Sequence, residues 1–169
     1  MMGRQSPQKG FTLLELVVVM ALMGMILSFT LPRLQESLFS GGKKKLFRSL
    51  ILTVKALKEN AVGDQRTFFL HVDIDSDSIW TSHEAMTEEE LAREKENRTR
   101  LSGELSIVDV VYPGKGMLSQ GETEVGFYKK GYSDYALIHL VEGDDRFYTM
   151  VIEPFLPEMK LLDGYLKLE

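Results

Sequence analysis

The hydrophobic positions of this chain change their rhythm twice. Residues 11–31 form one apolar run broken by a single charged side chain, Glu15. From Leu34 onward, Leu34, Leu38, Leu46, Leu50, Val54, Leu57 and Ala61 recur mostly at three- and four-residue spacing, which describes one face of an amphipathic helix. After Gly63-Asp64 the period moves toward two, and the predicted elements are strands at Thr67–Ile74, Ser78–Thr81, Leu105–Tyr112, Glu124–Lys129, Tyr135–Glu142, Phe147–Glu153 and Lys160–Leu168. The last of these is expected to fold at Asp163-Gly164 into a small hairpin. Thr87–Asn97 reads as a short helix or a polar insertion, with Thr87 and Glu90 at capping-box spacing.

Twenty-one residues in a helix span about 31 Å, which matches the hydrocarbon core of a bilayer of about 30 Å. The run 11–31 can therefore cross a membrane. Pro32 should kink the helix where the run ends, and Gly41-Gly42 lower helix propensity further along. The expected fold class is α+β: a long amino-terminal helix, half transmembrane and half amphipathic stem, packed on a carboxyl-terminal antiparallel β-sandwich or β-roll. The expected divisions are a leader at 1–10, a transmembrane and assembly helix at 11–31, a helical stem at 32–62 and a β-rich domain at 63–169.

Charge sharpens the same divisions. The 169 residues carry a formal net charge of −5, but residues 1–10 hold Arg4 and Lys9 without an acid, and residues 32–60 hold seven basic against two acidic side chains. Residues 61–169 hold eleven basic against twenty-two acidic, or −11. The absence of cysteine excludes disulfide scaffolds and thiolate metal centres. Glu15 is costly inside an apolar run, by about 2.5–3.5 kcal/mol on insertion scales, and residues 11–31 contain no Lys, Arg or His to pair with it. Either its counter-charge comes from a neighbouring chain or from an amino terminus created nearby, or the carboxyl lies shallow, reaching the interface or holding a proton.

Lys9-Gly10-Phe11-Thr12-Leu13-Leu14-Glu15-Leu16 resembles the class III signal of type IV pilins and type II secretion pseudopilins, with Gly before the cut, Phe after it and Glu at the fifth position of the cleaved chain. The resemblance implies cleavage by prepilin peptidase between Gly10 and Phe11, N-methylation of Phe11, and an assembly role for Glu15 against the Phe11 amine of a neighbour. It implies a kink at Pro32, a place where these families commonly carry proline. It also sets the leader in the cytoplasm, although lysine and arginine are more numerous after the apolar run than before it. Val125-Gly126-Phe127 through Gly131, followed by Ala136-Leu137-Ile138-His139-Leu140, is similar to H-type minor pseudopilins and the related FimT/FimU-like minor pilins. Pro154-Phe155-Leu156-Pro157 stands where that family often has a Gly-containing turn.

The reading that follows is a minor pseudopilin of the inner membrane, with its β-domain in the periplasm at or near the tip of a filament that drives type II secretion. Its implied partners are prepilin peptidase, other major and minor pseudopilins, the inner-membrane secretion platform, and membrane lipid before assembly. The alternatives are a minor type IV pilin in pilus assembly or DNA uptake, and a membrane-anchored binding domain or enzyme. No cofactor is expected, and no catalytic motif is present in the sequence. The −11 domain argues against nucleic acid, which requires clustered Lys and Arg. Asp73, Asp75, Asp77 and Glu84 fit positions 1, 3, 5 and 12 of a calcium loop, but Ser78 stands where the loop needs glycine, so they are weak candidates and an acidic hairpin turn is the expectation. His71, His83 and His139 are expected to pack rather than to bind metal.

Overall fold

The computed structural model describes residues 13–101 and 105–167, and the side chains of α1 residues 14, 21 and 24–42 are not among those described. The chain divides into two compact units, Met1–Gly42 and Lys43–Glu169. Helix α1 is Leu13–Gly63, and Pro32, Gly41 and Gly42 fall within it, so none of the three ends it. In the second unit α1 is followed by β1 (Phe68–Asp73), β2 (Ser78–His83), α2 (Glu88–Glu96), β3 (Thr99–Arg100), β4 (Leu105–Tyr112), β5 (Gly116–Leu118), β6 (Glu122–Phe127), β7 (Ala136–Glu142), β8 (Arg146–Ile152) and β9 (Lys160–Asp163).

All strand pairings are antiparallel and form two sheets, β3-β2-β1-β6 and β5-β4-β7-β8-β9. One hydrophobic core collects side chains from both sheets and from α1. Phe47, Leu50, Val54, Leu57 and Ala61 form the buried stripe of the helix, at the spacing that places i, i+3, i+4 and i+7 on one face. Alternation does the same for the strands: Ile138 and Leu140 of β7 face the core, whereas Leu137 and His139 lie on the opposite face of the larger sheet.

The capping box at the start of α2 forms, with Glu90 N–H donating to the Thr87 hydroxyl and Thr87 N–H donating to the Glu90 carboxylate at 2.8 Å. Three elements depart from the sequence expectation. β3 and β5 are edge strands of two and three residues with exposed side chains, too short to show a period. The carboxyl-terminal hairpin does not form: Gly164 turns the chain with φ +98°, but residues 165–167 are not a strand. They cross the outer face of the larger sheet, because that face offers them polar partners.

Candidate functional site

Gly10 and Phe11 lie outside the described residues. Glu15 is in the first turn of α1 and exposed, a place where a carboxylate is favoured by the helix dipole. Pro32 is inside α1, with its side chain outside the described set. The apolar run 11–31 is likewise described only in part, and among the described residues no helix is long and apolar enough to cross a membrane.

The four acidic candidates do not converge. Asp73 and Ser78 are register partners, so Asp75 and Asp77 sit in the turn of the β1–β2 hairpin, whereas Glu84 follows the other end of β2. Six residues of strand, about 20 Å, separate the two ends. Two of the carboxylates at this end, Asp73 and Asp77, have local work. Asp73 Oδ1 accepts the Ser76 amide at 3.2 Å and its other oxygen lies 3.5 Å from Arg98, and the hydrogen bonds from Ser76 hold it below the ordinary carboxylate value despite burial, which pushes the other way and is the largest single influence. Asp77 adopts φ +49° and accepts the Ile107 amide at 2.7 Å. β5 reaches only Val110–Tyr112 of β4, and Asp77 takes the amide beyond that pairing. Among the described residues no three His, Cys, Asp or Glu side chains are grouped to hold a metal ion.

His71 and His139 do pack, each in a polar setting. His71 stacks on Trp80 at 3.7 Å and shares a hydrogen bond of 2.8 Å with the Ser82 hydroxyl. Trp80 donates to Glu122 at 2.7 Å, and Lys95 of α2 pairs with the other Glu122 oxygen at 2.5 Å. His139 is fully buried. Its Nδ1 is 2.5 Å from Asp109, its Nε2 is 2.9 Å from the Leu166 carbonyl, and Tyr165 stacks on its ring at 3.8 Å. A carbonyl only accepts, so Nε2 is the donor.

This histidine belongs to a row that strand-by-strand reading misses. Asp109 of β4, His139 of β7 and Thr149 of β8 are successive register partners, and all three are buried. Together they hold the crossing tail. Tyr165 donates its hydroxyl to Asp109 at 2.9 Å, Thr149 donates to the Gly164 carbonyl at 2.7 Å, and the Leu166 amide donates back to Thr149 at 3.0 Å. The only signal available in the sequence is a polar residue placed mid-strand in three apolar runs.

The basic stem is partly consumed inside the second unit. Lys43 donates to Glu142 at 2.7 Å and to Tyr148 at 3.0 Å, and the Glu142 hydrogen bond raises its proton affinity above that of an ordinary lysine. Lys58 reaches the carbonyls of Glu153 and Leu156, and burial holds it below the usual lysine value against the pull of Glu153. Lys44, Lys45 and Arg48 stay exposed.

Residues 5–31 match the prokaryotic N-terminal methylation motif. No curated protein sequence matches the chain. Two solved structures of the minor pseudopilin EpsH from the type II secretion system of Vibrio cholerae are similar at 14% identity. One has a TM-score of 0.50 over 71% of this chain and 93% of that one. The other has a TM-score of 0.48 over 71% and 95%. At this identity the first likeness speaks to fold. The chain thus resembles pilin-like prepilins in its amino-terminal motif and H-type minor pseudopilins in the fold of the part that follows.

Proposed function

We propose that this chain is a minor pseudopilin: a structural subunit cleaved by prepilin peptidase between Gly10 and Phe11, N-methylated on Phe11, and built into the periplasmic filament of a type II secretion system at or near its tip. The observation that carries the reading is the methylation motif at residues 5–31 at the head of a chain whose helix and two antiparallel sheets resemble EpsH. In this reading residues 11–31 anchor the chain in the inner membrane before assembly, Pro32 kinks the helix, residues 32–62 are the stem, and residues 63–169 are a two-sheet periplasmic head. Glu15 of an incoming subunit pairs with the Phe11 amine of its neighbour. Two charges that are expensive in lipid then neutralise each other, which favours leaving the membrane for the filament. Methylation leaves the amine cationic, so the pairing survives it.

The test is the mass of the mature amino terminus. N-methyl-Phe11 is expected in the wild type, and Gly10→Ala is expected to stay uncleaved. An intact Met1 terminus on mature wild-type chain refutes processing. A minor type IV pilin shares all of this chemistry. The likeness to EpsH favours secretion, and the make-up of the operon around the gene separates the two.

A further inference from the structure

Residues 164–166 lie as a strap across the outer face of the larger sheet, and a fixed set of protons holds them there. Leu166 offers His139 a carbonyl, which only accepts, so Nε2 carries a hydrogen. Tyr165 gives its hydroxyl hydrogen to one oxygen of Asp109 at 2.9 Å. The other Asp109 oxygen stands 2.5 Å from His139 Nδ1, and a contact that close between a ring nitrogen and a carboxyl oxygen holds a proton on one atom or the other. Imidazolium with carboxylate and imidazole with carboxylic acid contain the same number of protons. Both complete the bonding of the strap, and in both the buried pair is uncharged as a whole.

Removing that one proton leaves the set a hydrogen short. His139 then has a single N–H for two acceptors, the Asp109 carboxylate and the Leu166 carbonyl. The carboxylate takes the stronger hydrogen bond, so the hydrogen settles on Nδ1, and Nε2 turns a lone pair toward the Leu166 oxygen 2.9 Å away. One side must give way. β4 and β7 are joined by backbone pairing from Leu105–Glu142 to Val111–Leu137, whereas the strap beyond Gly164 is attached through three side chains, Asp109, His139 and Thr149. The strap is the weaker partner, and Gly164 at φ +98° is the turn about which it can swing.

No other group near the ring replaces the missing hydrogen. Asp109 of β4 and Tyr165 of the strap face it directly, β8 presents the uncharged Thr149, and β5 reaches Tyr165 through the Met117 sulfur at 3.7 Å. Asp145, Arg146 and Asp163 line the open cleft beside Tyr165, and these three and Lys167 are exposed. Burial holds the Tyr165 hydroxyl above the ordinary tyrosine value, and its hydrogen bond to Asp109 and the charge of Asp109 push the same way. Tyr165 therefore remains a donor throughout the range in which imidazoles titrate.

We propose that His139 is a proton-dependent latch: the strap is docked while the Asp109–His139 pair holds its shared proton, and is released as pH rises and that proton passes to solvent. Release uncovers Asp109, His139 and Thr149 on the outer face of the larger sheet. The device lies within the second unit and stands or falls apart from the pseudopilin reading.

The Leu166 amide, which donates to Thr149 at 3.0 Å, reports docking by its hydrogen exchange in the full chain in detergent. One linked proton changes the docking equilibrium by up to about tenfold per pH unit. Protection of Leu166, relative to the intrinsic rate at each pH, should fall at least about tenfold between about pH 6 and about pH 9 while the β7 and β8 amides keep theirs. The His139 Nε2–H resonance should disappear with the same midpoint. Asp109→Asn should reverse the sign, because the Asn amide donates to a bare Nδ1 and its oxygen accepts from Tyr165, so that neutral His139 completes the set. In that variant the strap should stay docked at about pH 9 and loosen toward about pH 5, where imidazolium would meet an amide N–H. Flat Leu166 protection in the wild type overturns the latch, as does an alkaline loss that persists in Asp109→Asn or is shared equally by the β7 and β8 amides. Should Asp109→Asn fail to fold, separate midpoints for Leu166 protection and the Nε2–H resonance in the wild type reject the proposal.

Discussion

His139 and Asp109 face each other across β7 and β4 at 2.5 Å with both side chains buried. Removing one member leaves the other without its counterpart in a site water does not reach, the situation in which a buried pair costs about 3–5 kcal/mol to break. His139→Ala and Asp109→Ala are each expected to lower unfolding free energy by about that much, measured by denaturant titration of the full chain in detergent. The double substitution should cost less than the two singles added together, because the second change no longer strands a partner. Additive losses would refute the coupling.

Asp77 and Ile107 supply a second test. Asp77→Ala removes the acceptor of the Ile107 amide and is expected to cost about 1–3 kcal/mol, whereas Asp77→Asn keeps an oxygen acceptor and should cost clearly less. Isothermal titration of the wild type with calcium should show no saturable heat, since Glu84 stands at the far end of the hairpin from Asp73, Asp75 and Asp77. Tight calcium binding abolished by Asp77→Asn would overturn the structural role.

A third expectation concerns pH. Burial holds His71 below the ordinary imidazole value of 6.5, against the pull of Glu122 and with Lys95 adding to the depression. Glu124 also faces the ring, at 3.8 Å. Below 6.5 the unfolded chain takes up a proton that folded His71 refuses, so its contribution is complete above 6.5 and is lost as pH falls toward the depressed folded value. Folding free energy measured from pH 7.5 down to 5.5 should therefore decline more steeply in the wild type than in His71→Gln. Carboxylates such as Glu122 and Glu142, whose folded values are also depressed, lose their contribution at lower pH still. Parallel curves for the two proteins would refute the assignment to His71.

Glu15 is tested by assembly and not by stability. Glu15→Ala should be cleaved and methylated like the wild type, because the proposed cut between Gly10 and Phe11 precedes it, yet should co-purify poorly with pilin-like partners. Glu15→Asp, which keeps the charge on a shorter arm, should retain part of that co-purification. Undiminished co-purification of Glu15→Ala would remove the proposed pairing with the Phe11 amine.

Gly126 is sensitive for a local reason. A Cβ there would lie 2.8 Å from the Tyr128 hydroxyl and 3.0 Å from Asp134, the carboxylate that accepts the Gly126 amide at 2.9 Å. Gly126→Ala must displace both side chains and is expected to cost about 1–3 kcal/mol. Gly126→Ala combined with Tyr128→Phe, which removes the clashing hydroxyl, should recover part of the loss in thermal melts.

The sequence made the strands legible wherever apolar residues alternated over six or more positions, as in β1, β4, β7 and β8, and it marked the α1 stripe at Leu50, Val54, Leu57 and Ala61. It marked α2 as well, since the Thr87–Glu90 capping box is a local signal. It could not show β3 or β5, which are too short for a period. The tail reads as a hairpin because Asp163-Gly164 is a sound turn signal and Leu-Lys-Leu alternates like a strand. What directs residues 164–166 elsewhere is the alignment of Asp109, His139 and Thr149, which exists only once three separated strands have taken their register. Phe155 is visible as a departure from a family pattern, but the bonds that hold its loop come from Lys58, ninety-five residues from Glu153 in the chain.

The crossing tail also bears on the order in which the chain can finish folding. β4, β7 and β8 pair with one another without residues 164–166, so a sheet formed before those residues dock would leave Asp109, His139 and Thr149 lacking the groups that satisfy them. Until residues 164–166 dock, that face must stay wet or loosely paired. The larger sheet is therefore sealed only when residues 164–166 dock, and a chain cut short at Asp163 would hold every described strand and still lack the segment that dries its outer face.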